Sequence, residues 1–342
     1  MVEPDTSLGA FDYDLPAAAI AQRPCEPRDA ARLLVDGGPG RPPTHRHVRD
    51  LPDLLGPGDL LVVNDSRVRP ARLRLRKATG GAVEVLLLDR ADEPDAPGAW
   101  EALVRPGRRV PPGTRLRLHP DGDDVVEVGP PLDEGRRRVR LLRPEAEVLA
   151  AGEVPLPPYL QEPLADPERY QTVYADRPTS VAAPTAGLHL TEPLLERCRA
   201  AGAGVARLEL GVGIGTFRPI TVPDVTDHRV HREAYDVPAA TWAACEAATR
   251  VVAVGTTTVR ALESVAARGR RSGWTDLYLR RGHRFAVVDA LLTNFHVPRS
   301  SLLVLVDAFV GPRWRSLYED ALAGDYRFLS LGDAMFLPGP PV

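Results

Sequence analysis

The sequence predicts an α/β protein: a main domain built on a mixed, largely parallel sheet, with an antiparallel β-barrel domain inserted into it. In the outer parts of the chain, apolar runs such as "DLLVVN" and "VVAV" alternate with helical stretches, as in parallel sheets with crossover helices. Between residues 68 and 149, short runs such as "ARLRLRK", "AVEVLLL" and "TRLRLHP" alternate in polarity between Gly, Pro and Asp turns. We therefore place the barrel at 68–149 and the discontinuous main domain at 1–67 and 150–342.

The elements of the main domain are expected in the following order. A short helix and a strand come first, in "FDYDLPAAAIAQRPCEPRDAARLLVDG", and a second short helix in "DLPDLLGPG" precedes the buried strand "DLLVVN". After the barrel, the proline-rich "EVPLPPYLQEPLADPERYQTVYA" leads to a helix, "GVARLELG" forms a strand, and "AATWAACEAATR" forms a helix. "VVAVGTTTVRALES" is the clearest strand–turn–helix unit, and "RFAVVDALLTNF" and "SSLLVLVDAFVG" complete the core.

The composition is that of a soluble globular protein with two domains: 342 residues, of which 44% are hydrophobic and 26% charged. No apolar run is long enough to span a membrane, and the acidic N-terminus lacks the features of a signal peptide, so we expect a cytoplasmic protein. The three cysteines are scattered and form neither a metal-binding pair nor a disulfide framework. The net charge of −3 argues against a surface that is positive throughout.

Two glycine-containing stretches are candidates for ligand binding. In "LGVGIGTF" the glycines stand at 211, 213 and 215, one residue short of the dinucleotide fingerprint, and no helix pattern follows. This excludes a nicotinamide or flavin site of that type but leaves open a ligand loop containing Gly213, Gly215 and Thr216.

In "VVAVGTTTVRALES" a strand ends at a glycine and a helix begins at Thr256 and Thr257, with Arg260 one turn further on. The backbone N–H groups at such a helix start favour an anion. The alternative is ordinary capping of the helix by a threonine.

Four histidines stand in polar or small-residue surroundings. His189 follows Thr185 and Gly187 in "SVAAPTAGLHL", where small side chains permit close approach to a ligand; the alternative is a tight turn with a hydrogen-bonded histidine. In "TDHRVHREAYDV", His228 and His231 precede Glu233, which favours proton transfer over a metal site because no second metal-binding motif is present. His296 belongs to the group treated next.

Asp289, Asn294 and His296 form a polar group at the end of an apolar run in "VVDALLTNFHVPRSS". Ligand sites in α/β sheets gather where strands end, so these side chains are candidates for binding. The alternative is a helix cap at Asn294 and a surface histidine. No nucleophile elbow, P-loop or cysteine–histidine pair is present, and the polar inventory suits proton transfer and charge binding better than covalent catalysis.

Taken together, these stretches resemble the S-adenosylmethionine:tRNA ribosyltransferase-isomerase family. The motifs that carry the resemblance occur in the family's order and extend from Phe11 to Phe336: "LLVVNDSRVRPARL", "LPPYL", "SVAAPTAGLHL", "GVGIGTFRPI", "DHRVHRE", "VVAVGTTTVRALES", "VVDALLTNFHVPRSSLLVLVDAFVG" and "YRFLSLGDAMF". The resemblance is weakest across the barrel.

The resemblance implies an enzyme that moves the ribosyl part of S-adenosylmethionine onto 7-aminomethyl-7-deazaguanine at the wobble position of tRNA. The product is epoxyqueuosine, and adenine and methionine are released. The family has an α/β domain with an inserted barrel, needs no metal, and uses S-adenosylmethionine as a co-substrate, with no further cofactor. We expect a monomer, with S-adenosylmethionine and tRNA as its partners.

The chemistry implied by the resemblance assigns roles to the candidate residues. The sulfonium acidifies the neighbouring 5′ carbon, so a base can remove a proton there. His189 and His231 are the candidate bases, with Glu233 orienting or substituting. Thr256, Thr257 and Arg260 would hold the methionine carboxylate, and Asp289 and Asn294 the ribose or amine. The rest of the predicted substrate site is made up of Arg67, Thr185, Gly187, Gly213, Gly215, Thr216, His228 and His296.

Several positions depart from the family pattern: Gly211 in place of a histidine, Leu190, Thr179-Ser180, Arg280-Arg281 and Leu331. They leave two alternatives open, a relative that uses another acceptor and a non-catalytic tRNA- or nucleotide-binding protein. Contacts to tRNA are expected from arginines and one lysine in or beside the barrel, the alternative being a solvated sheet face. These are Arg67, Arg69, Arg72, Arg74, Arg76, Lys77, Arg105, Arg108, Arg109 and Arg136 to Arg138.

Overall fold

The computed structural model describes residues 5–91, 98–213 and 219–339. The chain divides into two compact units, Met1–Arg67 with Pro157–Val342, and Val68–Leu156. The first unit is an α/β unit on a mixed sheet, and the second is a closed antiparallel barrel. In the described parts of the chain, no helix combines the length and the apolar character needed to cross a membrane.

The strands and helices are as follows in chain order. The strands are β1 (Arg32–Val35), β2 (Thr44–His47), β3 (Asp59–Asn64), β4 (Arg72–Lys77), β5 (Ala82–Arg90), β6 (Ala99–Arg105), β7 (Thr114–Arg117), β8 (Asp124–Pro131), β9 (Arg136–Leu141), β10 (Gly204–Leu210), β11 (Glu233–Asp236), β12 (Arg250–Val254), β13 (Ser272–Thr275), β14 (Ala290–Asn294) and β15 (Ala334–Leu337). The α-helices are α1 (Glu145–Ala150), α2 (Glu192–Ala200), α3 (Ala239–Ala247), α4 (Thr256–Arg268), α5 (Ser301–Val310) and α6 (Trp314–Ala323).

The sheet of the α/β unit has the strand order β13-β11-β10-β3-β12-β14-β15-β1-β2. Its centre, β10-β3-β12-β14, is parallel throughout. All six residues of β3 are buried, with Leu60 and Val62 in one core cluster and Leu61 and Val63 in another. Because successive side chains point to opposite faces, a strand covered on both faces reads as a continuous apolar run. The predicted fold class is confirmed.

The barrel closes in the order β4-β5-β6-β9-β8-β7. Alternate residues such as Leu73, Leu75, Val83 and Val85 fill its interior, which explains the period of two in the sequence. The unit extends to Leu156 and not to the predicted 149.

Hydrogen bonds to Arg72 explain why the barrel unit is longer than predicted. The backbones of Arg72 and Glu153 exchange hydrogen bonds of 3.0 and 2.9 Å, and Arg72 Nη2 donates to the carbonyl of Leu156 at 3.2 Å. The segment after α1 is therefore held to the barrel by backbone pairing that local sequence patterns do not reveal.

The expected short helices near the N-terminus are not α-helical. Residues 8–31 contain only single 3-10 turns (Leu8–Phe11, Ala17–Ala19 and Arg28–Ala30), and the segment before β3 is a 3-10 helix, Val48–Leu54. Pro52 lies inside that helix, and a proline there removes a backbone N–H donor and disfavours a longer α-helix.

Candidate active site

The candidate site lies along the carboxyl edge of the parallel strands β10, β3, β12 and β14. Because the strands run in the same direction, their last residues, Leu210, Asn64, Val254 and Asn294, meet at one edge of the sheet. The segments that follow these strands supply most of the predicted site residues.

Asn64 joins three of these segments. Its buried amide Nδ2 donates to the carbonyl of Leu210 at 2.9 Å and to Oγ1 of Thr257 at 3.3 Å. Its Oδ1 accepts from the backbone N–H groups of Leu210, at 3.2 Å, and Ser66, at 3.1 Å. Asn64 is not among the residues predicted from the sequence, although a polar residue that ends an apolar strand is a usable signal.

The turn from β12 into α4 depends on Gly255. Its φ of 89° lies in the left-handed region that glycine adopts without strain. Neither expected threonine cap forms, because Thr257 Oγ1 faces Asn64, and no side chain in the described parts of the chain caps this helix start. A Cβ on Gly255 would lie 3.7 Å from Cβ of Ala186, so the turn that carries His189 packs against this helix start.

His189 ends the 3-10 turn Thr185–His189 and is 4% exposed. Nδ2 of Asn294 lies 3.1 Å from Nε2 of His189 and 3.1 Å from the carbonyl oxygen of Leu329. Because the amide nitrogen donates to both, Nε2 of His189 is an acceptor and the neutral ring carries its proton on Nδ1. Burial lowers the pKa of His189 to about 4, since it disfavours the charged imidazolium; nearby arginines act in the same direction.

His189 lines a pocket whose walls combine basic, polar and apolar groups. Arg28 and Arg169 lie in these walls, together with Cys25, Ser330 and Leu331. Backbone carbonyls hold both guanidinium groups: Arg28 donates to Gln171 O at 2.7 Å, and Arg169 donates to Cys25 O at 2.7 Å. Sequence analysis missed both arginines, because their partners come from distant parts of the chain.

A second, larger pocket lies beside α4 and β11. It is lined by His228, His231, Glu233, Arg260 and Tyr278, with leucines forming much of its apolar wall. The structure therefore brings together four of the residues predicted from sequence. Within the residues that the structure describes, no group of three or more His, Cys, Asp or Glu side chains is arranged to hold a metal ion.

The polar centre of this larger pocket is a buried ion pair. Glu233 Oε2 pairs with Arg260 Nη1, and Glu233 Oε1 accepts from the backbone N–H of Gly213 at 2.9 Å. Arg260 Nε donates to Leu277 O at 3.2 Å, whereas its buried Nη2 finds no hydrogen-bond partner within residues 5–91, 98–213 and 219–339. Both oxygens of Glu233 are thus engaged, and one donor of Arg260 is left over for a ligand.

The histidines form another wall of the larger pocket. His228 packs edge-to-face on Tyr278, with ring centroids 5.6 Å apart. Burial lowers the pKa of His228, and the neighbouring His231 contributes in the same direction. His228 therefore favours the neutral state, and His231 stands beside it in the same wall.

A carboxyl group at the same edge was also missed. Asp65 follows Asn64, and partial burial raises its pKa to about 6, although Arg207 opposes the shift. Carboxyl groups with pKa values near neutrality suit proton transfer, so Asp65 joins the candidates.

Several predicted residues lie elsewhere. Asp289 precedes β14, at the amino edge of the sheet, where its carboxylate accepts from the backbone N–H of Val251 at 2.7 Å. Arg67 lies outside both pockets and pairs with Glu168 at 2.5 Å. The sequence pattern correctly placed Asp289 at a strand boundary. It did not show whether this boundary was the beginning or the end of the strand.

Three further predicted residues have structural explanations. His296 is a buried core histidine and not a surface one: its Nε2 lies 3.0 Å from Thr293 Oγ1, and burial lowers its pKa to about 3. A Cβ on Gly187 would lie 2.2 Å from the hydroxyl of Tyr174, so packing requires this glycine. Thr185 opens the turn that ends at His189. Gly215 and Thr216 lie outside the described residues.

The departures from the family pattern are accommodated locally. A Cβ on Gly211 would lie 3.0 Å from the carbonyl oxygen of Thr179, so the backbone leaves little room for a side chain. Ser180 Oγ accepts from the N–H of Val212 at 2.9 Å, which ties the same two segments together. Arg281 pairs with buried Asp307. Leu190 is a core residue, and Leu331 lines the pocket of His189.

The fold and site define a class of protein: an α/β unit with an inserted barrel and polar pockets at the carboxyl edge of its parallel strands. The chain belongs to the family described as "Queuosine biosynthesis protein", which it matches over residues 8–337. It is 51% identical to the S-adenosylmethionine:tRNA ribosyltransferase-isomerase of Thermus thermophilus, covering 96% of this chain and 99% of the relative. It is 48% identical to the protein of that name from Symbiobacterium thermophilum, with the same two coverages.

A solved structure agrees with this assignment. The crystal structure of the S-adenosylmethionine tRNA ribosyltransferase of Thermotoga maritima is similar, with a TM-score of 0.55 and 36% identity. The similarity covers 96% of this chain and 99% of that one. The family that the sequence motifs indicated is thereby confirmed.

Proposed function

We propose that this protein transfers and isomerises the ribosyl moiety of S-adenosylmethionine onto 7-aminomethyl-7-deazaguanine in the wobble position of tRNA. The product is epoxyqueuosine in tRNA, and adenine and methionine are released. The observation that carries the proposal is the similarity over nearly the whole chain to relatives named S-adenosylmethionine:tRNA ribosyltransferase-isomerase. The two polar pockets at the carboxyl edge of the sheet supply groups suited to it.

The larger pocket is the proposed site for the sulfonium end of S-adenosylmethionine. The spare donor of Arg260 would bind the methionine carboxylate, since a guanidinium and a carboxylate form strong charge-assisted hydrogen bonds. The open start of α4, one turn before Arg260, adds backbone N–H groups that favour an anion.

His231 is the proposed base. It would remove a proton from the 5′ carbon next to the sulfonium, giving an ylide. The electron pair of the ylide would form a C4′=C5′ double bond as the C4′–O4′ bond breaks, and O4′ would form an aldehyde at C1′ as adenine leaves and takes up a proton. The amine of the deazaguanine would add to C4′ and lose a proton, and the ylide regenerated at C5′ would add to the C1′ aldehyde. The resulting alkoxide would displace methionine from C5′ and close the epoxide. Glu233 would act as a positioning residue, because its two oxygens already hold Arg260 and the N–H of Gly213.

His189 is less suited to be the base than sequence analysis supposed. The lone pair of Nε2 accepts from Asn294, and a pKa of about 4 makes the ring a weak proton acceptor at neutral pH. Its Nδ1–H is a better hydrogen-bond donor to a substrate oxygen. We assign His189 and Asn294 to substrate orientation, and Asp289 to no role.

The proposal is tested by following adenine and methionine in three incubations with S-adenosylmethionine. One contains tRNA with the aminomethyl deazaguanine, one contains tRNA without it, and one contains no tRNA. Release of both products only in the first supports the proposal. Release without tRNA would point to another acceptor, and binding of tRNA without release in any incubation would point to a non-catalytic protein.

We further propose that the protein acts in the cytoplasm as a monomer, without a metal or other cofactor. Light scattering at working concentration should give a mass near 37.1 kDa. Turnover should persist after treatment with a chelator. A mass twice as large, or loss of turnover that added metal restores, would contradict these points.

A further inference from the structure

Two groups of cations in the barrel unit differ in their partners. The arginines of the first group pair with carboxylates and so have much of their charge offset. They include the pairs Arg74–Glu153 at 2.9 Å, Arg115–Glu127 at 3.2 Å, Arg117–Asp124 at 2.7 Å, Arg136–Glu101 at 2.5 Å and Arg140–Glu127 at 3.3 Å. An arginine already paired with a carboxylate attracts a further anion only weakly.

The second group is a set of five cations, Arg76, Lys77, Arg105, Arg108 and Arg109, which we call the basic rim. Among the residues that the structure describes, none of the five has a carboxylate oxygen within 4.0 Å of its charged group. All four arginines are exposed, and the lysine is half-buried. The positive charge of the basic rim is therefore open to solvent.

The strand order brings the basic rim to one end of the barrel. Arg76 and Lys77 end β4, and Arg105 ends β6; both strands flank the start of β5. Arg108 and Arg109 follow in the 3-10 turn Gly107–Arg109, and Lys77 Nζ donates to the carbonyl of Arg109. The contact joins the end of β4 to this turn.

A buried arginine holds the turn in place. Arg137 of β9 is 9% exposed and donates to the carbonyls of Gly107 at 3.3 Å, Val110 at 3.0 Å and Gly129 at 2.8 Å. Because the turn is fixed in this way, its backbone should lose little conformational freedom when Arg108 and Arg109 bind a ligand.

Some acidic side chains lie near the basic rim. Glu84 faces Arg105 across the β5–β6 ladder, and its carboxylate lies 3.9 Å from Arg72. Asp133 and Glu134 lie in the turn before β9, whose first residue, Arg136, is opposite Leu103 of β6.

We propose that the basic rim binds phosphates of the tRNA backbone. The inference rests on the proposed function, which makes tRNA the acceptor. Because the net charge of the chain is −3, attraction for a polyanion must come from a local positive surface. Solvent-exposed, unpaired guanidinium groups on a fixed turn match phosphate geometry and release counterions when they bind.

The test compares two triple variants with the same change in net charge. The rim variant carries Arg105→Gln, Arg108→Gln and Arg109→Gln. The matched control carries Arg115→Gln, Arg117→Gln and Arg140→Gln, whose arginines are paired with carboxylates. Affinity for tRNA is measured by fluorescence anisotropy at several salt concentrations.

We expect the rim variant to bind tRNA on the order of 10-fold more weakly at about 0.1 M salt, with a slope of log K against log salt smaller by roughly 2 to 3. The control should change by less than about 2-fold. In turnover, the rim variant should show its loss mainly in KM for tRNA. Equal loss of affinity in both variants, or none in the rim variant, would overturn the proposal.

Two further measurements keep the outcomes distinct. Circular dichroism reports whether the rim variant folds, and a second rim variant, Arg76→Gln, repeats the test without touching the turn. If the unsubstituted protein itself binds no tRNA, the proposed function fails. If it binds tRNA and both rim variants bind equally well, only the basic rim is refuted.

Discussion

The amide nitrogen of Asn294 donates to Nε2 of buried His189 at 3.1 Å and to the carbonyl of Leu329 at the same distance. The contact joins the end of β14 to the turn that ends the small-residue stretch "SVAAPTAGLH", 105 residues away in the chain. Burial keeps the imidazole neutral, and the contact fixes which nitrogen carries the proton.

Because His189 is buried in its neutral form, the stability of the protein should depend on pH. The folded pKa of His189, about 4, lies below the ordinary value of 6.5, so the unfolded chain binds an additional proton between these two values. The free energy of unfolding should therefore fall as the pH drops from about 6.5 to 4, by up to ~1.4 kcal/mol per pH unit from this residue.

The variant His189→Gln should remove that part of the slope, as measured by urea unfolding at several pH values. His119→Gln, at an exposed position in the barrel unit, is the matched control and should leave the slope unchanged. An unchanged slope in His189→Gln would show that the imidazole is not held neutral in the folded protein.

Because Glu233 and Arg260 form a buried ion pair, substitutions of the two residues should be strongly coupled in their effects on stability. Removing either partner leaves the other charge without its counterion, so Glu233→Gln and Arg260→Gln should each destabilise the fold by about 3 kcal/mol. The double variant should cost clearly less than the sum of the two, as measured by urea unfolding in a double-mutant cycle. Additive costs would mean that the two side chains do not act as a pair.

Gly211 predicts an asymmetry between two substitutions. A Cβ there meets the backbone oxygen of Thr179 at 3.0 Å, and a side-chain change at Thr179 cannot relieve a contact with backbone. We expect Gly211→Ala to cost about 1 kcal/mol and Gly211→His, the residue that the family resemblance led us to expect there, to cost more. Thermal unfolding measures both, and a stabilised Gly211→His variant would contradict the packing described here.

The sequence predicted those parts of the fold that depend on burial pattern. The strands β3 and β12 were evident because both of their faces are covered, and the barrel because its strands have one covered face. The N-terminal segment was mispredicted as helical, since local apolar residues suggested a helix where prolines and long-range contacts produce single turns.

The candidate site was predictable only where one short stretch contains several of its groups. His228, His231 and Glu233 lie close together in sequence, and they do line one pocket. Asn64 and Arg28 were missed because only their hydrogen-bond partners, which lie far away in the sequence, indicate a role in the site. Asn64, for example, bonds to Leu210, 146 residues away. Asp289 was misplaced because an apolar run does not reveal the direction of its strand within the sheet.

Single-turnover release of adenine by His231→Gln, beside His189→Gln and the unsubstituted protein, tests the central claim most directly. His231→Gln should still bind S-adenosylmethionine, by calorimetry, within a few-fold of the original affinity. Its release of adenine should be slower by about 100-fold or more, the usual contribution of a general base. His189→Gln should be slowed less. Release by His231→Gln at the original rate would contradict the assignment of the larger pocket to proton removal.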